Sequence, residues 1–404
     1  MSNHDGLMPV APLANVRVLD LTIALAGPYG TRILADLGAE VIKVDTRIER
    51  NYATELDLAD RLQAMYPNGD PGEESWNRGG FHSQLNRNKL SVALDLGSAE
   101  GKRQFLQMVG TADCLVENFT PKVMPGLGLG HEVLMALNPR LVYVAMPGFG
   151  TYGPRSTFPA FAPTTEAASG FLSLVGYEDG TLAPNPMSLA DFVGGLNAAV
   201  GLMAALSAAR REGQGAFIDL SQVEAMATFL GEEFEELDID GDFVASAPVG
   251  NQLPGALFSG TLRSRGYDEW ISITVRAESE LRATAELAGQ EAETWLRLVT
   301  SASGRIQLVS LLEEWTLGWD KEELAAALQE VGVAASPVQT ASDLFSDGQL
   351  AHLEFFVELN DPAVGRFPYE GQPWHFGLWK GQVPSAAPRL GSDTAKFVAS
   401  TDST

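Results

Sequence analysis

The chain has 404 residues, 45% of them apolar, and a formal net charge of −25 at pH 7. That length allows two domains, or one large discontinuous one, around a substantial core, and the acidic balance argues against a nucleic-acid partner, since phosphate binding needs a basic footprint. A single cysteine, Cys114, leaves no intramolecular disulfide and no multi-cysteine zinc site; no uninterrupted apolar run reads as a bilayer span, and the first residues lack a basic region and an apolar signal core, so a cytoplasmic protein without a membrane partner is expected.

Val16 to Leu21 is a short apolar strand. After the Ala26-Gly27-Pro28 turn, Ile33, Leu34 and Leu37 give Tyr29 to Leu37 helical spacing, and Gly38 ends that helix. Glu40 to Asp45 is the next strand, so the chain opens on a parallel strand–helix–strand unit. Residues 48 to 80 are polar, with prolines and glycines, and read as an excursion. Leu90 to Leu96 is a strand, Ser98 an N-cap for a helix to Val109, Asp113 to Phe119 a strand, Gly130 to Leu137 a short helix, and Arg140 to Met146 a strand. Cys114 falls in a strand and is assigned to packing. Thr164 to Leu174 is helical but broken by Gly170. A long helix from about Asp191 to Arg211 follows, carrying Gly194, Gly195, Ala198, Ala199 and Gly201, small enough for another backbone to approach. Ala216 to Leu220 is a strand and Ser221 to Leu230 a helix.

Composition then shifts. Residues 232 to 242 are acidic and read as a connector, and Pro248 to Gly255 is a glycine-and-proline loop. A strand at Trp270 to Val275 is followed by helical patterns at Glu278 to Leu287, Thr294 to Val299, Arg305 to Trp315 and Glu322 to Val331. Ala334 to Gln339 is extended, Leu344 to Phe356 partly helical, and the proline-rich tail irregular. The alternation predicts an α/β sheet wrapped by helices, with a smaller second domain.

Asp191 stands at the entrance of the small-residue helix, and nothing ionisable follows until Arg210. Two readings fit: an N-cap, kept charged by backbone N–H groups and the helix dipole, or a carboxylate nucleophile held in a pocket. Gly148-Phe149-Gly150-Thr-Tyr-Gly153 is a literal GxGxxG after a strand, yet Pro154, Pro159 and Pro163 keep a helix from opening there, which the dinucleotide fingerprint requires. A turn with close backbone approach to a ligand stays open. The five histidines are scattered without metal-binding spacing, and neither GxSxG nor a P-loop occurs. The short basic clusters are Lys43, Arg47 and Arg50, then Arg87 and Lys89.

Nine stretches, in order, carry a family resemblance: Val18-Leu-Asp-Leu-Thr with Ala26-Gly-Pro28; Ala35 to Lys43; Asn86 to Leu96; Val116-Glu-Asn-Phe119; Leu127-Gly-Leu-Gly130; Asn138-Pro-Arg-Leu141; Gly148-Phe-Gly150; Leu189-Ala-Asp-Phe-Val-Gly-Gly195; and Pro388-Arg-Leu-Gly391. From about residue 14 to 396 the chain resembles the family III CoA-transferases, the CaiB/BaiF group that includes formyl-CoA transferase and carnitine CoA-transferase and is related to α-methylacyl-CoA racemase. The resemblance implies a Rossmann-like large domain from both chain ends (1–228 and 336–404), a smaller α+β domain (229–335), and an interlocked homodimer. It implies an acyl-CoA:carboxylate CoA-transferase with Asp191 as nucleophile, an acyl-CoA donor and a carboxylic acid acceptor, coenzyme A as substrate and no permanently bound cofactor or metal. Segments implied to touch CoA include Leu25, Ala26, Leu94, Asn118, Phe119, Pro147, Gly148 and Phe149. Gly250, Asn251 and Gln252 match a mobile glycine segment expected to cover Asp191.

Some positions depart from the family pattern. Phosphate-facing basic positions fall on Thr46, Gly126 and Pro147, which leaves Arg47, Arg87 and Lys89 as the candidates for the CoA phosphates. The histidine of the racemase branch falls on Phe161, and no histidine lies between 132 and 351. Two-sided α-proton transfer is hard to run without that base, which favours CoA transfer over racemisation and leaves an isomerase acting by intramolecular CoA transfer open. A CoA-binding protein without turnover and a nicotinamide-dependent oxidoreductase are the other readings.

Overall fold

A computed structural model describes residues 10–45, 65–184, 186–240, 248–376, 379 and 385–398, with backbone only at 236–240. The described chain divides into two compact units, one of residues 1–172, 184–244 and 351–404, the other of 173–183 and 245–350.

The first unit is built on β1 (Arg17–Asp20), α1 (Ala26–Asp36), β2 (Glu40–Asp45), α2 (Gly80–Asn86), β3 (Lys89–Ala93), α3 (Ala99–Val109), β4 (Cys114–Glu117), α4 (His131–Leu137), β5 (Val142–Ala145), α5 (Ala162–Ala168), α6 (Leu189–Glu212), β6 (Phe217–Asp219), α7 (Gln222–Ala227) and α8 (Gly231–Asp240). The six strands form one parallel sheet in the order β3-β2-β1-β4-β5-β6. Parallel sheets are covered on both faces, so their strands are apolar throughout. Val18, Val41, Cys114, Val116, Val142 and Val144 pack one face against α1 and α6. Leu19, Ile42, Val92, Leu115, Tyr143 and Ala145 pack the other against Phe105 and Met108 of α3 and Leu134 of α4. Cys114 lies wholly inside, and burial pushes its thiol above the ordinary range. Ser98 caps α3, its Oγ accepting the Gly101 N–H at 3.0 Å.

The C-terminal part belongs to the same unit. Gly391 N–H donates to Ser91 Oγ at 2.9 Å, Ser91 N–H to Asp393 at 3.1 Å, and Ala93 N–H to Thr394 Oγ1 at 3.0 Å, so this segment covers the open edge of β3. An antiparallel hairpin, β10 (Phe356–Asp361) and β11 (Gly365–Glu370), also joins it. Glu370 of β11 holds Arg32 of α1 at 2.7 Å. The irregular tail expected from its prolines therefore includes a hairpin, and the acidic connector at 232–242 is largely helix α8.

The second unit holds the antiparallel sheet β7 (Phe258–Arg263), β8 (Trp270–Val275) and β9 (Ala334–Pro337). Helices α9 (Glu278–Leu287), α10 (Ala292–Leu298), α11 (Ala302–Thr316) and α12 (Lys321–Glu330) pack on it around Trp295, Leu308 and Leu324. It extends past residue 335 because Lys321 reaches forward to Val338 O at 3.0 Å and Asp343 at 2.9 Å.

By length and composition α6 could cross a membrane, the one such helix among the described residues, contrary to the reading of the sequence. Its Ala198, Ala199, Leu202, Leu206 and Ala209 are buried in the core under the sheet, the place of a core helix.

Candidate active site

In a doubly wound sheet the strand order reverses between two strands, and the loops leaving their carboxyl ends diverge into a crevice. Here the reversal lies between β1 and β4. The two loops are tied across it by a reciprocal pair: Ile23 N–H donates to Asn118 Oδ1 and Asn118 Nδ2 donates to Ile23 O, both at 2.8 Å. Ala24 holds φ 60° there, a left-handed conformation that disfavours a Cβ. Leu25 and Ala26 follow and open α1. Leu94 follows β3, Asn118 and Phe119 follow β4, and Pro147, Gly148 and Phe149 follow β5. These expected CoA-contact positions thus leave the same edge of one sheet.

Helix α6 reaches this edge through two glycines. A Cβ on Gly30 of α1 would lie 2.6 Å from Gly195 O, and one on Gly195 would lie 2.5 Å from Ala26 O. Only glycine permits so close a crossing. Tyr29 of α1 and Phe192 of α6 meet edge to face at 4.8 Å, and Arg32 stacks over Tyr29 at 4.7 Å. Asp191 sits one turn before Gly195, so the crossing sets its turn of helix beside the start of α1 at the switch point.

The helix start itself is unusual. Ser188, the residue before α6, has φ 53° and ψ 50° and offers no side-chain cap. Glu166 of α5 supplies one from outside: its Oε1 accepts the Ala190 N–H at 3.2 Å, and Glu166 is 1% exposed. Helices α5, α6 and α7 close around Ala162, Ala190, Val193, Ala225 and Met226. Gln222 of α7 packs on Gly194 and donates from Nε2 to Met146 O at 2.9 Å, fastening the β5 loop to the same cluster.

Asp191 is half-buried in this cluster, and among the described residues its carboxylate has no hydrogen-bond or ion-pair partner. Burial, then the neighbouring Glu166 charge, push its carboxyl up to about 6. The cap expected of Asp191 is thus made by Glu166, and the helix start does not hold Asp191 below the ordinary carboxylate range. Sequence reasoning missed Glu166 because it lies 25 residues away on another helix and forms no motif with Asp191. Glu117, at the end of β4, was missed too: burial pushes it up to about 7, against the Phe119 N–H it accepts at 2.7 Å.

The GxGxxG turn opens no helix. Its Thr151 N–H and Oγ1 bond Asp219 at the end of β6, at 2.9 and 2.6 Å. The hollow under Phe149, Gly150 and Ser221 is about 30 Å³, room for a water rather than a nucleotide. Val223 N–H donates to Gly148 O at 2.9 Å, and Phe149 meets Phe158 edge to face at 5.9 Å.

Two basic candidates are corrected. Lys89 is buried, and its Nζ donates to Asp20 at 2.9 Å, Pro28 O at 3.0 Å, Thr31 Oγ1 at 2.9 Å and Asn86 Oδ1 at 3.2 Å. It is committed inside the unit and presents nothing to a phosphate. Arg87 is likewise buried, its Nη2 2.6 Å from Asp36. Arg47 and Thr46 lie outside the described residues. Gly250, Asn251 and Gln252 belong to the second unit; Gly250 has φ 60°, and Gln252 N–H donates to Val249 O at 3.2 Å. Phe161, where the racemase branch has histidine, is exposed at the start of α5.

Sheet order and switch point define a doubly wound α/β unit, with the Asp191 carboxylate, unpartnered among the described residues, beside the switch point. The chain matches CoA-transferase family III over residues 13–394 and belongs to that family. It is 30% identical over 393 residues to the succinyl-CoA–D-citramalate CoA-transferase of Chloroflexus aurantiacus, spanning 95% of this chain and 92% of that one. It is 30% identical over 401 residues to the succinyl-CoA:(R)-benzylsuccinate CoA-transferase subunit BbsE of Thauera aromatica, with 95% and 92% covered. The crystal structure of a CaiB/BaiF family protein from Brucella suis superposes with a TM-score of 0.82 at 27% identity, covering 96% of this chain and 98% of that one.

Proposed function

We propose that this CoA-transferase moves CoA from an acyl-CoA donor to a carboxylic acid acceptor through covalent intermediates on Asp191. The observation that carries the reading is the Asp191 carboxylate itself, unpartnered among the described residues and set beside the switch point by the Gly30–Gly195 crossing.

The Asp191 carboxylate attacks the donor thioester carbonyl, and the carbon–sulfur bond breaks with its electron pair leaving on CoA thiolate. The thiolate attacks the Asp191 carbonyl of the resulting anhydride, releasing the donor acid as a carboxylate and leaving an aspartyl-CoA thioester. The acceptor carboxylate attacks that thioester and expels CoA thiolate. The thiolate then takes the acceptor acyl group from the second anhydride, and free Asp191 returns. Each tetrahedral oxyanion needs placed donors, and each anhydride needs protection from water. Leu25, Ala26, Asn118, Phe119 and the Pro147–Phe149 turn are proposed to hold CoA. An interlocked homodimer and a cytoplasmic location complete the proposal.

Succinyl-CoA, the donor in both relatives' names, is the first donor to mix with a panel of acids while new CoA esters are followed by mass spectrometry. Asp191→Ala is expected to lose transfer by about a thousandfold or more, as removal of a covalent nucleophile does, and hydroxylamine should trap an adduct on Asp191 in the parent only. Full transfer by Asp191→Ala sinks the mechanism. Deuterium entry at the α-carbon without CoA exchange supports the racemase alternative instead.

A further inference from the structure

Glu166 takes no part in the transfer written above, yet it is a buried acid committed to the Asp191 helix. Its Oε1 accepts the Ala190 N–H at 3.2 Å, one residue before the nucleophile. Ser188 gives that helix start no side chain, so Glu166 takes the place of an N-cap. The N–H that would otherwise favour a charged Asp191 is spent on a second carboxylate.

Other charges on the elements packed against α6 do not intervene. On α1, Arg32 is paired with Glu370 at 2.7 Å and Asp36 with Arg87 at 2.6 Å. On α7, Glu224 is exposed and Gln222 is neutral. Along α6 itself the next ionisable group is Arg210, more than five turns away. Among the described residues, Glu166 is the charge that, after burial, pushes the Asp191 carboxyl up.

We propose that Glu166 is a positioning residue for CoA transfer, which fixes the Asp191 turn through Ala190 and holds a like charge beside the nucleophile that acylation relieves. This rests on the reading of Asp191 as the nucleophile. With Asp191 ionised, two carboxylates share a partly desolvated site and repel. Once Asp191 becomes an anhydride or a thioester its charge is gone, and the repulsion with it. Glu166 therefore raises the free enzyme relative to both covalent intermediates and makes Asp191 the more basic, better nucleophile.

The test is to titrate Asp191 directly, by 13C NMR of the full-length protein labelled at aspartate carboxyls, with Asp191→Asn to assign the signal. The parent midpoint is expected near 6. Glu166→Gln keeps an oxygen for the Ala190 N–H and removes the charge; it should lower that midpoint with no loss of thermal stability. It should also slow adduct formation by about three- to tenfold, in kcat rather than KM, and move the acidic limb of the kcat/KM profile with the midpoint. Glu166→Ala, which removes the oxygen as well, should lose stability in addition. A parent midpoint at an ordinary aspartate value overturns the proposal without needing any variant to fold. So does a folded Glu166→Gln with unshifted midpoint and pH profile. Failure of the nucleophile reading shows elsewhere, as transfer retained in Asp191→Ala with the coupled titration still present.

Discussion

Two aspartates of the first unit, Asp20 and Asp191, lie near the same switch point and are opposite in character. Asp20 ends β1 and is wholly buried, where burial alone would raise its carboxyl. The Lys89 and Lys43 ammonium groups and the Thr22 hydroxyl outweigh burial and hold it below the usual range. Thr31 Oγ1 donates to it at 2.7 Å and the Thr22 N–H at 2.9 Å, so every lone pair has an internal use. Asp191 is less buried, has no such partner among the described residues, and is pushed up to about 6 by burial and Glu166. A satisfied buried acid is a structural joint; an unsatisfied one keeps its electron pairs for chemistry. The difference lies in partners, not in depth.

The sharpest way to break this contrast is to unpair Asp20. Lys89→Met leaves a buried charge uncompensated, and loss of one partner of a buried pair costs about 3–5 kcal/mol. Denaturant unfolding should show that loss, while the folded fraction keeps its affinity for CoA. A selective loss of CoA affinity at unchanged stability would instead restore Lys89 as a phosphate contact. Gly195→Val tests how Asp191 is delivered. Its Cβ would fall 2.5 Å from Ala26 O, and overpacking of this kind costs about 1–3 kcal/mol. Transfer should fall further than stability alone explains, because the Asp191 turn moves away from α1.

The smallest effect carries the opposite sign. Asp191→Asn should stabilise the protein at neutral pH while abolishing transfer. A folded-state pKa near 6 against about 3.9 in the unfolded chain means that the folded state binds the proton more tightly. The parent therefore has its full stability below the unfolded value and loses some as pH rises through the folded one. Two units correspond to at most about 3 kcal/mol, and partial exposure brings this to about 1–2 kcal/mol. The gap between variant and parent should be near zero at pH 4 and largest above pH 7 in paired melts. Asp20 behaves oppositely: its depressed pKa adds stability that disappears as pH falls toward acid.

The first unit was legible in the sequence because parallel strands declare themselves as apolar runs between helices. Glu40–Asp45 and Trp270–Val275 match their expected bounds, and Ser98 caps α3 as expected. Elements whose amphipathic signal is weak or whose proline content misleads were not legible. The β10–β11 hairpin carries Pro368 within a strand, yet that residue pairs with Glu358. The acidic stretch from Gly231 forms a helix because glutamate is a good helix former, and Glu232 and Glu233 fall in the first turn, where the helix dipole favours negative charge. The second unit runs on to residue 350 because Lys321 finds partners beyond β9, which no local pattern announces.

The sequence by itself determined the family, the sheet's strands and the acid to watch, since order and spacing of short motifs survive without coordinates. It could not tell a cation in service from a cation in reserve: Lys89 and Arg87 look alike on paper with Arg47, and only packing shows the first two paired inside. Nor could it assign the cap of the Asp191 helix. Capping is usually a matter of neighbouring residues, and here it is made across two helices by Glu166, so tertiary contact decided which acid caps the helix and which has no partner among the described residues.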